Sequence, residues 1–402
     1  MSTAKGSPGS SPEQSNLALP YWRLSGFYFF YFALLGGMYP YWPLYLQHLG
    51  FTPERIGLLL AVPMITKLIA PNLWAWLGDV TGRRLTILRL GSFLGLLCFL
   101  GITINQSFYW LAVVIGGYSF FWNAILPQYE VITLGFLKDK PERYSLVRVW
   151  GSIGFILAVL GGGYYFEHLS IELFPWVGIG LLACIFISSL LIPPSSEEVR
   201  EHKRESLWQI VRQPTVIAFL IAGTLLQMAH GAYYSFFSIY LEEMGFSRTA
   251  IGFLWSIGVV AEVFIFMVMH TLLLKLGVRF VLIASLLLAA LRWYMIGNGS
   301  EWLWLLILAQ CLHAFTFGTF HAASIESIRR LFKGGTQAGG QALYGAISFG
   351  IGGASGSYLA GHFWEQGATQ IFNVASGLCL LAALVAWYGF RDPRLHRSVS
   401  GA

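Results

Sequence analysis

Charge is what this sequence has least of. Only 11% of its 402 residues are Asp, Glu, Lys or Arg, and 19 of them are acidic, against roughly 25% charged in an ordinary soluble domain. With 56% apolar and 16% aromatic residues, that scarcity excludes a water-soluble globular protein and points to the bilayer. Cysteine is scarce too. Cys98, Cys184, Cys311 and Cys379 stand singly inside apolar runs, without the paired spacing of a metal or redox site, and read as packing residues. Clustered His and Asp at metal-ligand spacing are also missing, so neither an enzyme nor a metal or other cofactor is expected. Residues 1–20 are rich in Ser, Pro and Gly and lack the basic, apolar, small-residue order of a signal peptide; they read as a disordered tail.

What is present is a series of long apolar runs. About twelve recur roughly every 30 residues between Tyr21 and Phe390, each near the ~20 residues that cross a bilayer at ~1.5 Å rise per residue. Backbone groups in hydrocarbon must be satisfied within the segment, which makes these runs helices and the chain an all-α membrane protein. With Met1 in the cytoplasm, 20 of the 25 basic residues fall in cytoplasmic loops and tails, among them Lys138, Lys140, Arg143, Arg200, Lys203, Arg204, Arg279 and Lys333. Only Arg55 and Arg248 fall outside. Short cytoplasmic loops collect Lys and Arg, so both termini are expected there. The formal charge of +6 then reflects topology and not nucleic-acid binding.

The chain also repeats itself. Pro43 to Gly57 and Ser238 to Gly252, 195 residues apart, share Tyr-Leu, Gly-Phe and Ile-Gly in register. At the same offset Trp110 to Lys138 matches the tenth run, which ends at Lys333. One long polar interruption, 193–213, separates six runs from six. The expected organisation is a tail (1–20), a six-helix domain (21–192), a cytoplasmic linker (193–213), a second six-helix domain (214–391) and a tail (392–402). Two homologous membrane halves of this kind suggest a transport path between them. Runs five and eleven are dense in glycine, including Gly151, Gly154, Gly350 and Gly353, which allows close helix approach and suits a rocking interface.

After the second run stands Ala75-Trp76-Leu77-Gly78-Asp79-Val80-Thr81-Gly82-Arg83-Arg84. It resembles the loop 2–3 signature of the major facilitator superfamily, with Asp79, Gly82, Arg83 and Arg84 matching and Ala75 and Val80 departing. A carboxylate at a helix end facing a basic cluster after a glycine turn can form a breakable cytoplasmic clasp. Together with the six-plus-six order, the resemblance implies the major facilitator fold: twelve transmembrane helices in two pseudo-symmetric six-helix domains. Its partners would be a small-molecule solute, protons and the lipid bilayer, with the chain acting as a monomer.

Five ionisable residues lie well inside the runs: Lys67, Glu130, Arg148, Glu262 and Arg292. Each costs at least about 2.5 kcal/mol at the bilayer centre, so each is a site candidate. Three cations against two anions leave one positive charge for an anionic ligand. Glu130 and Arg148, at facing ends of antiparallel helices, have the geometry for a charge-assisted pair, with Ser152 one turn on from Arg148. Arg148, with Lys67 as a second cation, is the candidate to hold a carboxylate, and Tyr39, Trp150, Tyr233, Tyr234 and Phe237 are candidates for an aromatic wall. A carboxyl group responds to burial and to nearby cations, so Glu262 and Glu130 lead as proton carriers, followed by His313, His230 and His321. Glu326, beside Arg329 and Arg330, reads as a cytoplasmic gate or a solvated salt bridge.

The Glu130/Arg148 arrangement resembles the substrate-binding pair of lactose permease. Glu262, Arg292 and His313 resemble that permease's residues on helices 8, 9 and 10. The match breaks at Thr316, where the permease has its proton-binding glutamate, and at Gln310, where it has a lysine. Across residues 21–391 the chain is similar to the phenylpropionate permease group, through Gly258–Val263, Leu291-Arg292-Trp293, His313 and His321. That resemblance implies proton-driven uptake of a small aromatic carboxylate through the cell inner membrane. A carbohydrate or nucleoside symporter is the alternative. A drug or metabolite exporter is the second; the proton antiporters of the superfamily that the chain resembles typically carry a Gly-Pro signature on helix 5, and Leu160-Gly161-Gly162-Gly163-Tyr164 has no proline, which argues against it.

Overall fold

The computed structural model of the protein describes residues 20–137, 143–194 and 207–396. Most of the expected tails, most of the linker, and Lys138, Lys140, Arg200, Lys203 and Arg204 therefore lie outside the described residues. Among those described there are helices and no strand. The first half contains α1 (Tyr21–Met38), α2 (Trp42–His48), α3 (Pro53–Thr81), α4 (Arg84–Leu100), α5 (Phe108–Phe136), α6 (Tyr144–His168) and α7 (Phe174–Leu191). After the short α8 (Trp208–Val211), the second contains α9 (Pro214–Glu243), α10 (Arg248–Leu276), α11 (Val278–Gly299) and α12 (Leu303–Cys311), then a π-helical turn (Ala314–Thr319) leading into α13 (Phe320–Leu331). Next come α14 (Gln337–Tyr344), a π-helical stretch (Gly345–Gly352) and α15 (Gly353–Phe363), followed by α16 (Ala368–Gly389) and α17 (Pro393–His396).

Among the described residues, ten helical stretches are long and apolar enough to cross a membrane. The other two expected spans run as helix without meeting that standard. One is broken into α1 and α2 at a corner around Tyr39–Tyr41, and the other by the π-helical stretch between α14 and α15.

The sequence repeat is a helix-stop, helix-start corner used twice. Gly50 (φ 79°) and Gly245 (φ 85°) take the left-handed conformation that ends a helix and strongly favours glycine. Just beyond them, the amides of Phe51 and Phe246 reach back to the carbonyls of Leu46 (3.3 Å) and Leu241 (3.0 Å). Thr52 and Ser247 are extended N-cap residues before α3 and α10, and Ser247 Oγ accepts from the Ala250 amide at 3.2 Å. Even the repeat's tyrosines are held alike: Tyr45 accepts from Gln106 at 3.0 Å, and Tyr240 bonds Ser300 at 2.7 Å.

Within the first half α1 packs on α6 and α7, and α5 on α3 and α4; within the second, α9 packs on α15 and α16, and α16 on α11. The halves meet where α3 crosses α15 and where α10 crosses α6. The repeat's Ile-Gly pairs sit at these two crossings. A Cβ on Gly57 would lie 2.5 Å from the Ser357 carbonyl oxygen, and one on Gly252 would lie 2.7 Å from that of Val159. Both crossings are at the end of the molecule away from Arg83 and Arg84. There Arg248 donates to the Phe166 carbonyl (2.9 Å), the Thr249 amide donates to Glu167 (2.8 Å) and His362 meets Glu54 (3.2 Å).

A cavity between the halves and its flanking charges

Between the halves lies a cavity whose wall comes mostly from α1, α3 and α5, closed by Tyr234 and Ser235 of α9 and Ser357 of α15. Lys67 is the one charged residue of that lining. It makes no hydrogen bond or ion pair with any described residue. Two expected wall residues are there: Tyr39 from the first half and Tyr234 from the second face each other with ring centroids 5.8 Å apart.

The remaining aromatic candidates are elsewhere. Trp150 belongs to one end of the molecule: its indole donates to the Tyr21 hydroxyl (2.9 Å) and its ring packs edge-on against Trp22. This is an amphipathic ring at a helix end, as interfacial tryptophans are. Tyr233 and Phe237 are fully buried and stack on each other at 4.7 Å inside the second half. Because α9 turns about 100° per residue, Tyr234 faces the cavity while Tyr233 faces the core. Ser152 is not part of the lining.

The expected Glu130/Arg148 ion pair does not form. The Arg148 guanidinium lies 4.0 Å from the centre of the Phe32 ring and 5.3 Å from that of Tyr28, held by the π faces. Glu130 instead takes a long contact of 3.5 Å from the Tyr144 hydroxyl, one turn before Arg148 on α6. Glu262, on α10, also makes no hydrogen bond or ion pair with a described residue. It packs on the π-helical turn, where a Cβ on Gly318 would come within 2.9 Å of its Cγ. Arg148 interacts electrostatically with both acids, Glu130 of its own half and Glu262 of the other.

Arg292 is fully buried and has neutral neighbours. It donates to the Ala309 carbonyl (3.0 Å), Thr316 (3.2 Å) and Gln310 (3.5 Å) while its guanidinium lies over Tyr233 (4.3 Å) and Trp293 (4.4 Å). Thr316 and Gln310, the two departures from the lactose permease pattern, are thus the residues that solvate Arg292. The rings of His313, Phe317 and His321 stack in near-parallel planes, with centroids 5.5 and 6.3 Å apart. His230 bonds the Leu226 carbonyl through Nδ1 (2.9 Å). The second ring nitrogen of His230 and Nδ1 of both His313 and His321 are buried without a partner.

At the basic end Asp79 pairs with Arg84, which also donates to Gln128 of α5 (2.8 Å), and Gln128 in turn donates to the Trp74 carbonyl (2.8 Å). Gly82 supplies the left-handed turn (φ 63°) that brings α4 back beside α3, while Arg83 is exposed. Glu326 pairs with Arg329 and Arg330 of its own helix, both at 2.7 Å. In this structure it is a local salt bridge and does not join the halves.

Several lining residues went unread in the sequence. Trp122 stacks on Tyr31 at 4.0 Å, and Asn123, Thr66 and Ser119 form a hydrogen-bonded set between α5 and α3. A single Asn in the middle of a fourth apolar run was the available signal. Gln128, five residues on, was a second.

The sequence profile of the MFS_1 like family matches residues 21–374. The chain is 31% identical over 360 residues, 88% of its length and 94% of the relative's, to a probable 3-phenylpropionic acid transporter of Escherichia coli (strain K12). It is 24% identical to the maltose permease of Geobacillus stearothermophilus, over 86% of this chain and 89% of that one. In three dimensions it is similar to the nucleoside transporter NupG, with a TM-score of 0.82 at 18% identity over 92% of this chain and 99% of that one, a likeness of fold.

Proposed function

Since the chain belongs to the MFS_1 like family and is a multi-pass membrane transporter of the major facilitator type, we propose that it takes up a small aromatic carboxylate together with protons. It does so as a monomer in the cell inner membrane, with the basic end in the cytoplasm. The observation that carries this reading is Lys67, a cation with no described partner in the wall of an aromatic-rich cavity between the halves. A bound carboxylate supplies the missing partner, and Tyr39, Trp122 and Tyr234 supply ring faces for an aromatic body. The printed description of the Escherichia coli relative supports the same chemistry.

The solute enters while the end carrying Gly57 and Gly252 is open and leaves when the halves have rocked to the arrangement seen here. Glu262 carries the proton, since it lies on the second half without a fixed partner and senses Arg148 of the first. Protonation removes that attraction, so the charge state of one carboxyl biases how the halves sit. Glu130 and the unpartnered imidazoles are the secondary carriers.

The test is transport in proteoliposomes with and without an imposed proton gradient. Phenylpropionate is expected to accumulate uphill when the gradient is present. Lys67→Ala should raise its half-saturation concentration about tenfold or more, the cost of one charge-assisted hydrogen bond. Glu262→Gln should abolish uphill accumulation while exchange survives. Uphill accumulation of a sugar, with no response to aromatic acids, overturns the reading.

A further inference from the structure

Three prolines stand inside the helices that wall the cavity: Pro63 and Pro71 in α3 and Pro127 in α5. Proline has no amide hydrogen, so each one deprives the carbonyl four residues earlier of its helical partner. Those carbonyls belong to Leu59, Lys67 and Asn123, and all three residues line the cavity. In a bilayer such freed groups persist where they face a polar path or find another partner.

The Asn123 side chain adds a fourth acceptor. Its Nδ2 donates to Thr66 Oγ1 (2.9 Å) and approaches the Pro63 carbonyl (3.5 Å). A carbonyl can only accept, so the nitrogen must face it and Oδ1 must turn away. Oδ1 has no partner among the described residues. Around one cation, then, the wall carries acceptors left without a donor, Asn123 Oδ1 foremost, beside hydroxyl and indole groups of Tyr39, Tyr118, Tyr234 and Trp42.

A plain aryl carboxylate satisfies the cation but offers nothing to those acceptors. Resting on the reading that this cavity holds the solute, we propose that Asn123 and the proline-freed carbonyls select a solute carrying hydrogen-bond donors besides its carboxylate, that is, a hydroxylated aromatic acid. Leaving such acceptors unmatched in a desolvated site penalises the analogue that lacks the hydroxyl.

The experiment measures half-saturation concentrations for 3-phenylpropionate and for its 3-hydroxyphenyl and 4-hydroxyphenyl counterparts in the same proton-driven proteoliposomes. At least one hydroxylated acid should be favoured by about tenfold, and the ratio should fall towards one in Asn123→Leu. Pro127→Ala returns an amide to the Asn123 carbonyl and favours the helix, so a smaller ratio there cannot come from unfolding; it too should lower the preference. Equal half-saturation for all three acids in the unmodified protein overturns this proposal and leaves the aromatic-acid reading standing, as does a ratio unmoved by both variants. Transport of none of the three acids overturns both.

Discussion

At the end carrying Gly57 and Gly252, one half touches the other directly: Arg248 reaches the Phe166 carbonyl, Thr249 reaches Glu167 and His362 meets Glu54. At the basic end, among the described residues, the ion pairs of Asp79 with Arg84 and of Glu326 with Arg329 and Arg330 each lie within one half. The described contacts at the two ends thus do different work. The first end joins the halves through backbone proximity that only a residue without a side chain permits; the ion pairs at the other tie helices within each half. The first end is therefore closed in this state, and opening it must break those contacts.

Filling a crossing tests the closed end most severely. In Gly252→Trp the new side chain starts 2.6 Å from the Tyr41 hydroxyl and 2.7 Å from the Val159 carbonyl. Overpacking of this kind costs about 1–3 kcal/mol, enough for a roughly 5- to 150-fold shift away from the arrangement seen here. Net uptake should drop by at least about tenfold, and a cysteine placed by Thr249→Cys should label faster with maleimide. Unchanged labelling would mean that this crossing does not hold the halves.

At the basic end, Asp79→Asn should slow initial uptake by about fivefold, because a partly exposed ion pair contributes about 1 kcal/mol and Gln128 still bonds Arg84. A larger loss would make the clasp the dominant lock and reverse the comparison. Smallest of all is Glu54→Gln. Both members of the His362–Glu54 pair are about half exposed, at 46% and 52%, so uptake rates should change by less than about twofold; a tenfold change would show that side chains, and not the glycine crossings, close this end.

Much of the frame was legible in the chain. Apolar runs of bilayer length, the basic asymmetry and the repeat are properties of composition and spacing, which survive without coordinates. Even the position of the crossings was implicit, since the Ile-Gly pairs of the repeat turned out to mark them. The site was legible only in part. Lys67, Tyr39 and Tyr234 line the cavity, while Trp150, Tyr233 and Phe237 do not. In a chain with 15 Trp, 19 Tyr and 31 Phe, every helix face carries rings, and apolar periodicity no longer says which face is inside. The hydrophobic contrast that orients a helix in a soluble protein is missing where lipid and core are equally apolar. The Glu130/Arg148 pair failed for a related reason. Two charges at permissive spacing do not decide their partners when Phe32 and Tyr144 compete for them.

By itself, the sequence determined that this is a helical membrane protein made of two related halves, because burying some twenty apolar residues per run leaves the backbone no other solution. It also determined which ionisable residues would be costly enough to matter. Only the tertiary structure decided that Lys67 lines a cavity with no described partner, that Arg292 is solvated by neutral groups, and that Leu59, Lys67 and Asn123, the residues four before the helix prolines, line the same space. Those outcomes depend on how each helix is rotated against its neighbours, and that rotation is set by packing between residues far apart in the chain.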